Sequence, residues 1–115
     1  MIRIYGIKNC DTMKKAFALL DKRKVQYEFH DYKKAGVPPG KLAAWAKQIG
    51  WERLANTRGT TWRNIPDPQK AALDERKALS LLEKYPSAIR RPIVEADSKL
   101  LVGFEPSEFD KLSSG

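Results

Sequence analysis

The sequence is short of the residues that most readily announce a chemistry: it holds one cysteine and one histidine. A single cysteine excludes an internal disulfide framework and fits a reducing compartment. No metal site and no bound cofactor are expected. No apolar run approaches the length of a membrane span, and the N-terminus lacks the charged-then-apolar pattern of a signal peptide. A cytoplasmic protein with no membrane partner is therefore expected. Internal repeats and low-complexity segments are missing as well. Positive charge is what the chain has in excess, +8 over 115 residues. Such a balance raises nucleic acid as a partner, but no Arg-rich arm, RNP-type motif or finger spacing accompanies it. Lys22-Arg23-Lys24 and Lys33-Lys34 fall at element ends, where solvated lysine is ordinary. The charge better suits small anionic ligands or an acidic protein partner. The length fits one domain with one core.

The cysteine lies in the most informative stretch, Ile2-Arg3-Ile4-Tyr5-Gly6-Ile7-Lys8-Asn9-Cys10-Asp11-Thr12-Met13-Lys14-Lys15. Ile2, Ile4 and Tyr5 suit a half-buried strand, and Gly6 breaks the run. A helix follows from about Cys10 to Lys22, with Ala16, Leu19 and Leu20 as its apolar stripe, extended by Met13 and Phe17. Cys10 sits where the joining loop becomes the helix. Unpaired amides and the positive end of the helix dipole favour a thiolate there, and the thiolate is the nucleophile. Lys8 and Lys14 act in the same direction. A lone cysteine is often a small core hydrophobe. Here Asn9 and Asp11 flank it, and it continues neither apolar pattern. Cys10 reads as a functional thiol.

Val25 to Tyr32 alternates apolar and polar residues, as a strand with one buried face does. Two strands joined by a helix form a right-handed parallel pair, which puts the cysteine loop at the C-terminal edge of the first strand. Ligands of such sheets usually sit off those strand ends. His30 lies within the second strand and is read as structural, not as a base for Cys10. Residues 35–40 make a turn, and Leu42, Trp45, Ala46 and Ile49 keep helical spacing until Gly50 ends it. Trp51 to Leu54 adds a short helical turn. Asn56-Thr57-Arg58-Gly59-Thr60-Thr61-Trp62-Arg63 is polar and without apolar period, so it reads as a loop. Its composition fits a grip on an anion, and it fits an ordinary surface connection equally well. Pro66 and Pro68 start another helix, and Ala78 to Lys84 form one with Leu79, Leu81 and Leu82 as its core face. Arg91 to Glu95 and Lys99 to Gly103 make a hairpin with its turn at Ala96-Asp97-Ser98. Pro92 opens its strand, where a proline is tolerated or marks a cis bond at a site. Pro106 begins a last short helix carrying Phe109 and Leu112. The order β-α-β, helical block, β-β-α predicts an α/β sandwich with a helical insertion.

A β-α-β / β-β-α frame with a cysteine at the first helix start and a proline opening the third strand resembles a thioredoxin fold. Gly6-Ile7-Lys8-Asn9-Cys10-Asp11-Thr12, Asn56-Thr57-Arg58-Gly59-Thr60 and Arg91-Pro92-Ile93-Val94 resemble segments of the arsenate-reductase-like (ArsC/Spx) family, and within it the YffB-type proteins. The likeness spans nearly the whole chain. It implies one thioredoxin-like α/β domain with a mixed sheet, residues 1–115, and a helical insertion over about 36–88 between the two halves. It also implies a nucleophilic Cys10, basic partners at Arg58 and Arg91, and a cis peptide before Pro92 facing the cysteine. Two departures matter. Where arsenate reductases of the family carry a third arginine just before a Pro-Ser-Glu, this chain has Glu105, whose carboxylate would repel an oxyanion. Where redox-sensing members have a second cysteine, it has Met13, so a two-cysteine switch within one chain is excluded.

The expected function is that of a glutathione-dependent thiol oxidoreductase. Cys10 attacks a disulfide or other electrophile, and an external thiol resolves the mixed intermediate. With no resolving cysteine in the chain, glutathione is the expected co-substrate, and its two carboxylates match Arg58 and Arg91. Amides from Lys8 to Thr12, including those of Asn9 and Asp11, are expected to stabilise the thiolate. Arg58 is expected beside the sulfur, Arg91 and Pro92 in the substrate site, and Arg63 as a further carboxylate grip. The alternative is an Spx-like regulator that binds RNA polymerase, with arsenate reduction as a third reading.

Overall fold

The alternating apolar residues of the N-terminal stretch build the centre of the sheet. The computed structural model describes residues 2–96 and 99–112. Strand β1 (Ile2–Gly6) is followed by α1 (Asp11–Lys22) and β2 (Tyr27–Asp31), and β1 and β2 run parallel, with Tyr5 beside His30. The hairpin strands β3 (Ile93–Ala96) and β4 (Lys99–Val102) complete a mixed sheet of order β2-β1-β3-β4, β3 lying antiparallel to β1 with Tyr5 beside Ile93. Side chains alternate across a pleat. Ile2, Ile4, Val94 and Ala96 therefore share one face, and they form a single core with Met13, Ala16 and Leu20 of α1 and with Phe109 and Leu112 at the chain's end. Arg3, Tyr5, His30, Ile93 and Glu95 lie on the opposite face. The expected α/β architecture with a mixed sheet is what the chain adopts.

Several boundaries differ from the sequence reading, each for a local reason. Gly6 does not break β1. It is the strand's last residue, paired with Asp31, and a Cβ there would lie 2.6 Å from the Met13 sulfur. Close approach of α1 is what its missing side chain permits. The second strand begins at Tyr27, because Lys24 takes a left-handed turn (φ 57°) after α1 and Val25 returns its N–H to Leu20. It also stops early, as Tyr32 enters the short helix α2 (Tyr32–Ala35). Arg91 and Pro92 precede β3 and are not part of it, and the peptide between them is cis. Asp97 and Ser98, where the hairpin turn was expected, lie outside the described residues.

Packing divides the chain into two units, Met1–Lys34 with Arg91–Gly115, and Ala35–Arg90. The second is helical: α3 (Lys41–Ile49), α4 (Trp51–Leu54), α5 (Thr60–Asn64), α6 (Asp67–Lys70), α7 (Glu75–Lys84) and a 3-10 turn at Pro86–Ala88. Leu42, Trp45, Leu54 and Leu82 are buried in it. Its ends are tied by a bridge between Ala55 and Ile89 and by the Asn56 N–H donated to the Ala88 carbonyl at 2.8 Å. The polar stretch 56–63 is not wholly a loop: only Asn56 to Gly59 turns, and α5 begins at Thr60. Trp62 and Ile65, both buried, override the weak helix preference of the threonines. Helix α7 starts earlier than its apolar period suggests, since the Asp74 carboxylate caps it by accepting the Lys77 N–H at 2.9 Å.

Candidate active site

The sulfur is positioned by the junction of β1 and α1. Ile7 is buried and anchors the loop, Lys8 and Asn9 are exposed, and the Cys10 N–H returns to the Lys8 carbonyl at 3.1 Å. Cys10 is the N-cap residue of α1, extended at φ −142° and ψ 131°, and its own carbonyl accepts the Lys14 N–H at 2.9 Å. An N-cap side chain lies within reach of the amides two and three residues on. Those are Thr12 and Met13. The uncharged thiol makes no cap hydrogen bond of ordinary geometry, as a weak acceptor would not. The charged sulfur is another matter.

Burial pushes the Cys10 thiol up, but four opposing effects outweigh it and leave its pKa below the ordinary value. The Met13 N–H is the foremost, followed by a hydrogen bond and a Coulombic attraction from the Arg91 guanidinium, and then by the Thr12 N–H. This is the combination that favours a thiolate: oriented donors at a helix start and a neighbouring cation. Cys10 is half-buried, so the sulfur is reachable.

Strand pairing explains how Arg91 arrives there. With Tyr5 beside Ile93 in antiparallel register, the residues just before β3 run past the end of β1, toward the loop that carries Cys10. Pro92 is fully buried at that point, and its carbonyl accepts the Gly103 N–H at 2.9 Å, which fixes the backbone behind Arg91. Arg91 also faces a polar cluster on the far side of the sheet. Tyr5 donates to Glu95 at 2.7 Å, and the His30 ring stands 5.5 Å from Tyr5 and 6.0 Å from Tyr32. Burial first, then the proximity of Tyr5 and Glu95, raises the Tyr32 phenol far above its ordinary pKa, and Arg91 opposes them. The histidine packs between two tyrosines, as a structural ring does.

The first unit thus gathers Lys8, Asn9, Cys10, Asp11, Thr12, Arg91 and Pro92. Of the two arginines expected as basic partners of the sulfur, Arg91 is the one that belongs to the same unit and whose guanidinium acts on it. Arg58 and Arg63 belong to the second unit, Arg58 exposed in the turn Asn56–Gly59 and Arg63 exposed on α5. Of the amides expected from Lys8 to Thr12, that of Thr12 acts on the sulfur, and Met13, one residue beyond that range, supplies the stronger donor. Sequence reasoning passed over a cavity of about 290 Å³ beside the cysteine loop, lined by Lys8, Asn9, Lys14, Phe17, Tyr27 and Phe29. Its signal was there to be read: Cys10, Lys14 and Phe17 keep helical spacing, and Tyr27 and Phe29 alternate along β2. Among the described residues, no group of three or more histidine, cysteine or acidic side chains could hold a metal ion. Nor is any helix there long and apolar enough to cross a membrane.

Comparison with known proteins finds relatives over nearly the whole chain. An uncharacterised protein of Haemophilus influenzae is 44% identical over 109 residues, covering 95% of this chain and 96% of the relative. A solved structure named YffB superposes with a TM-score of 0.92 at 46% identity, covering 96% of each chain. The global transcriptional regulator Spx of Streptococcus pneumoniae is more distant, 27% identical over 111 residues, covering 94% of this chain and 82% of the regulator. The model of the ArsC family matches residues 5–112, a span that takes in Cys10, Arg58 and Arg91 alike, and the chain belongs to that family.

Proposed function

We propose that the protein is a glutathione-dependent thiol oxidoreductase that works through the single thiolate of Cys10. The observation that carries the reading is the set of donors around the sulfur: the Met13 and Thr12 amides and the Arg91 guanidinium favour its charged form against the effect of burial. In the first step the Cys10 thiolate attacks one sulfur of a mixed disulfide between a substrate thiol and glutathione. A Cys10–glutathione bond forms, the substrate–glutathione bond breaks, and the substrate leaves as a thiolate that takes a proton from water. In the second step a glutathione thiolate attacks the bound glutathione sulfur. Oxidised glutathione departs and the Cys10 thiolate returns. The substrate sulfur is reduced to a thiol, the incoming glutathione sulfur is oxidised to the disulfide level, the first glutathione sulfur keeps its oxidation state, and the protein is unchanged. Arg91 holds the thiolate and eases its departure in the second step. Arsenate is not the proposed substrate, because Glu105, the exposed residue before α8 (Pro106–Phe109), adds negative charge where other members have an arginine.

Intact-mass measurement after incubation with oxidised glutathione tests the reading. One glutathione adduct on the wild type, none on Cys10→Ser, and removal of the adduct by reduced glutathione are expected. A wild type that stays unmodified under conditions that modify a free thiol would end it. The likeness to Spx favours a second reading, a regulator acting on RNA polymerase. Retention of polymerase from a cytoplasmic extract, unaffected by Cys10→Ser, would move that reading ahead.

A further inference from the structure

The cavity beside the cysteine loop is unlike the rest of the basic surface, because its floor is aromatic. Phe17 packs against Tyr27 with ring centroids 5.6 Å apart and edge-on against Phe29 at 4.9 Å. All three rings stay only partly buried, so the cavity walls keep apolar area open to water. Lys8 and Lys14 stand at the end nearest Cys10, one two residues before it and one a helical turn after it, and both are exposed. The charged side chains that line the cavity are thus both cationic, and no carboxylate is among its lining residues. Its volume, about 290 Å³, is near the lower end for ligand pockets and holds a ring-sized group.

We infer that this cavity is a specificity subsite for the leaving half of the disulfide, and that it selects a group with an aromatic or comparably bulky apolar ring bearing a carboxylate or similar anion. The inference rests on the thiol-oxidoreductase reading of Cys10. The ring covers Phe17, Tyr27 and Phe29, and the anion meets Lys8 and Lys14. When Cys10 opens the disulfide, the departing thiolate carries that ring and anion, and the same lysines face its new charge.

Two measurements separate the subsite from the thiol chemistry. The first uses the Cys10→Ser protein and follows amide shifts on titration with naphthoate and with neutral naphthylmethanol. Saturable shifts at Lys14, Phe17 and Phe29 are expected, with naphthoate bound more tightly. Phe17→Ala should weaken both probes about tenfold, and Phe17→Leu serves where the alanine variant is unfolded. The second compares reaction rates of the wild type with the dianionic aryl disulfide dithiobis(nitrobenzoate) and with neutral dipyridyl disulfide. Lys14→Glu should lower the ratio of the two rates about fivefold, and the ratio cancels any change in the thiolate itself. Absence of saturable naphthoate binding, or a rate ratio untouched by Lys14→Glu, overturns the subsite. Should naphthoate bind as expected while the wild type forms no glutathione adduct, the subsite stands as a binding site and the oxidoreductase reading falls.

Discussion

Removing Arg91 should change the pH dependence of Cys10 in a way that no general loss of structure can imitate. The guanidinium both hydrogen-bonds the sulfur and attracts its charge, in opposition to burial. A hydrogen bond to a charged group is worth about 1.5–3 kcal/mol when sheltered from water. Cys10 is only half-buried, so screening leaves the lower end, about 1–1.5 kcal/mol. About 1.4 kcal/mol is tenfold in an equilibrium, so Arg91→Ala should cut the thiolate fraction by roughly tenfold at pH values below the wild-type pKa of Cys10. The more basic thiolate attacks faster, however, with a Brønsted coefficient of about 0.4–0.5, which returns roughly threefold. The net result is an alkylation rate about threefold lower below the wild-type pKa and about threefold higher at strongly alkaline pH. The two rate–pH curves must therefore cross. Iodoacetamide alkylation followed by intact mass across the pH range reads this directly, with circular dichroism showing the variant folded. Arg91→Lys, which keeps the charge but not the planar fork, should fall between the two. Superimposable curves for wild type and folded Arg91→Ala would refute the assignment of Arg91 to the sulfur.

Three further outcomes follow from the same geometry. Since the folded pKa of Cys10 is lowered, the thiolate stabilises the fold above the unfolded thiol's pKa, about 8.5, and this is lost as pH falls through the folded value. Melting temperatures of wild type and Cys10→Ser should draw apart as pH rises from neutral, and a constant gap would contradict the lowered pKa. The Tyr32 hydroxyl is buried without a hydrogen-bond partner, so Tyr32→Phe should raise stability to urea by about 1 kcal/mol, whereas Tyr5→Phe, which loses the bond to Glu95, should lower it by about 1–2 kcal/mol. Equal effects of the two changes would count against this account of the cluster. Gly6→Ala brings a methyl within 2.6 Å of the Met13 sulfur and should cost about 1–3 kcal/mol in the same assay, and together with Met13→Ala it should cost less than the sum of the two single changes.

The fold was legible wherever one face of an element is consistently apolar. Alternation marked the second strand, and strand-forming residues marked the first strand and the hairpin. The stripe of Ala16, Leu19 and Leu20, extended by Met13 and Phe17, marked α1, and of that stripe Met13, Ala16 and Leu20 are buried in the shared core. It was least legible in the second unit, where short elements are set by single contacts. Trp62 makes α5 out of a polar stretch, and the Asp74 cap adds a turn to α7 that no apolar residue marks. Gly6 was misread for a related reason. Sequence shows a glycine as a breaker, and only the position of Met13 shows it as a point of close packing.

The site divides along the same line. Cys10 was legible because its chemistry follows from its own helix, a matter of a few residues in sequence. The identity of its cation was not, because Arg91 reaches the sulfur through a strand register between residues some ninety positions apart, as in the pair Tyr5 and Ile93. The sequence reading names Arg58 and Arg91 as partners, favours Arg58 for the place beside the sulfur and keeps Arg63 as a further grip. Strand pairing brings Arg91 to the sulfur, and Arg91 also acts on Tyr32. The charge that stabilises the thiolate is thus held by the same antiparallel pairing that closes the sheet. A substitution that loosens β3 from β1 should therefore raise the Cys10 pKa even where it touches no residue of the site, and that coupling ties the reactivity of this thiol to the integrity of its fold.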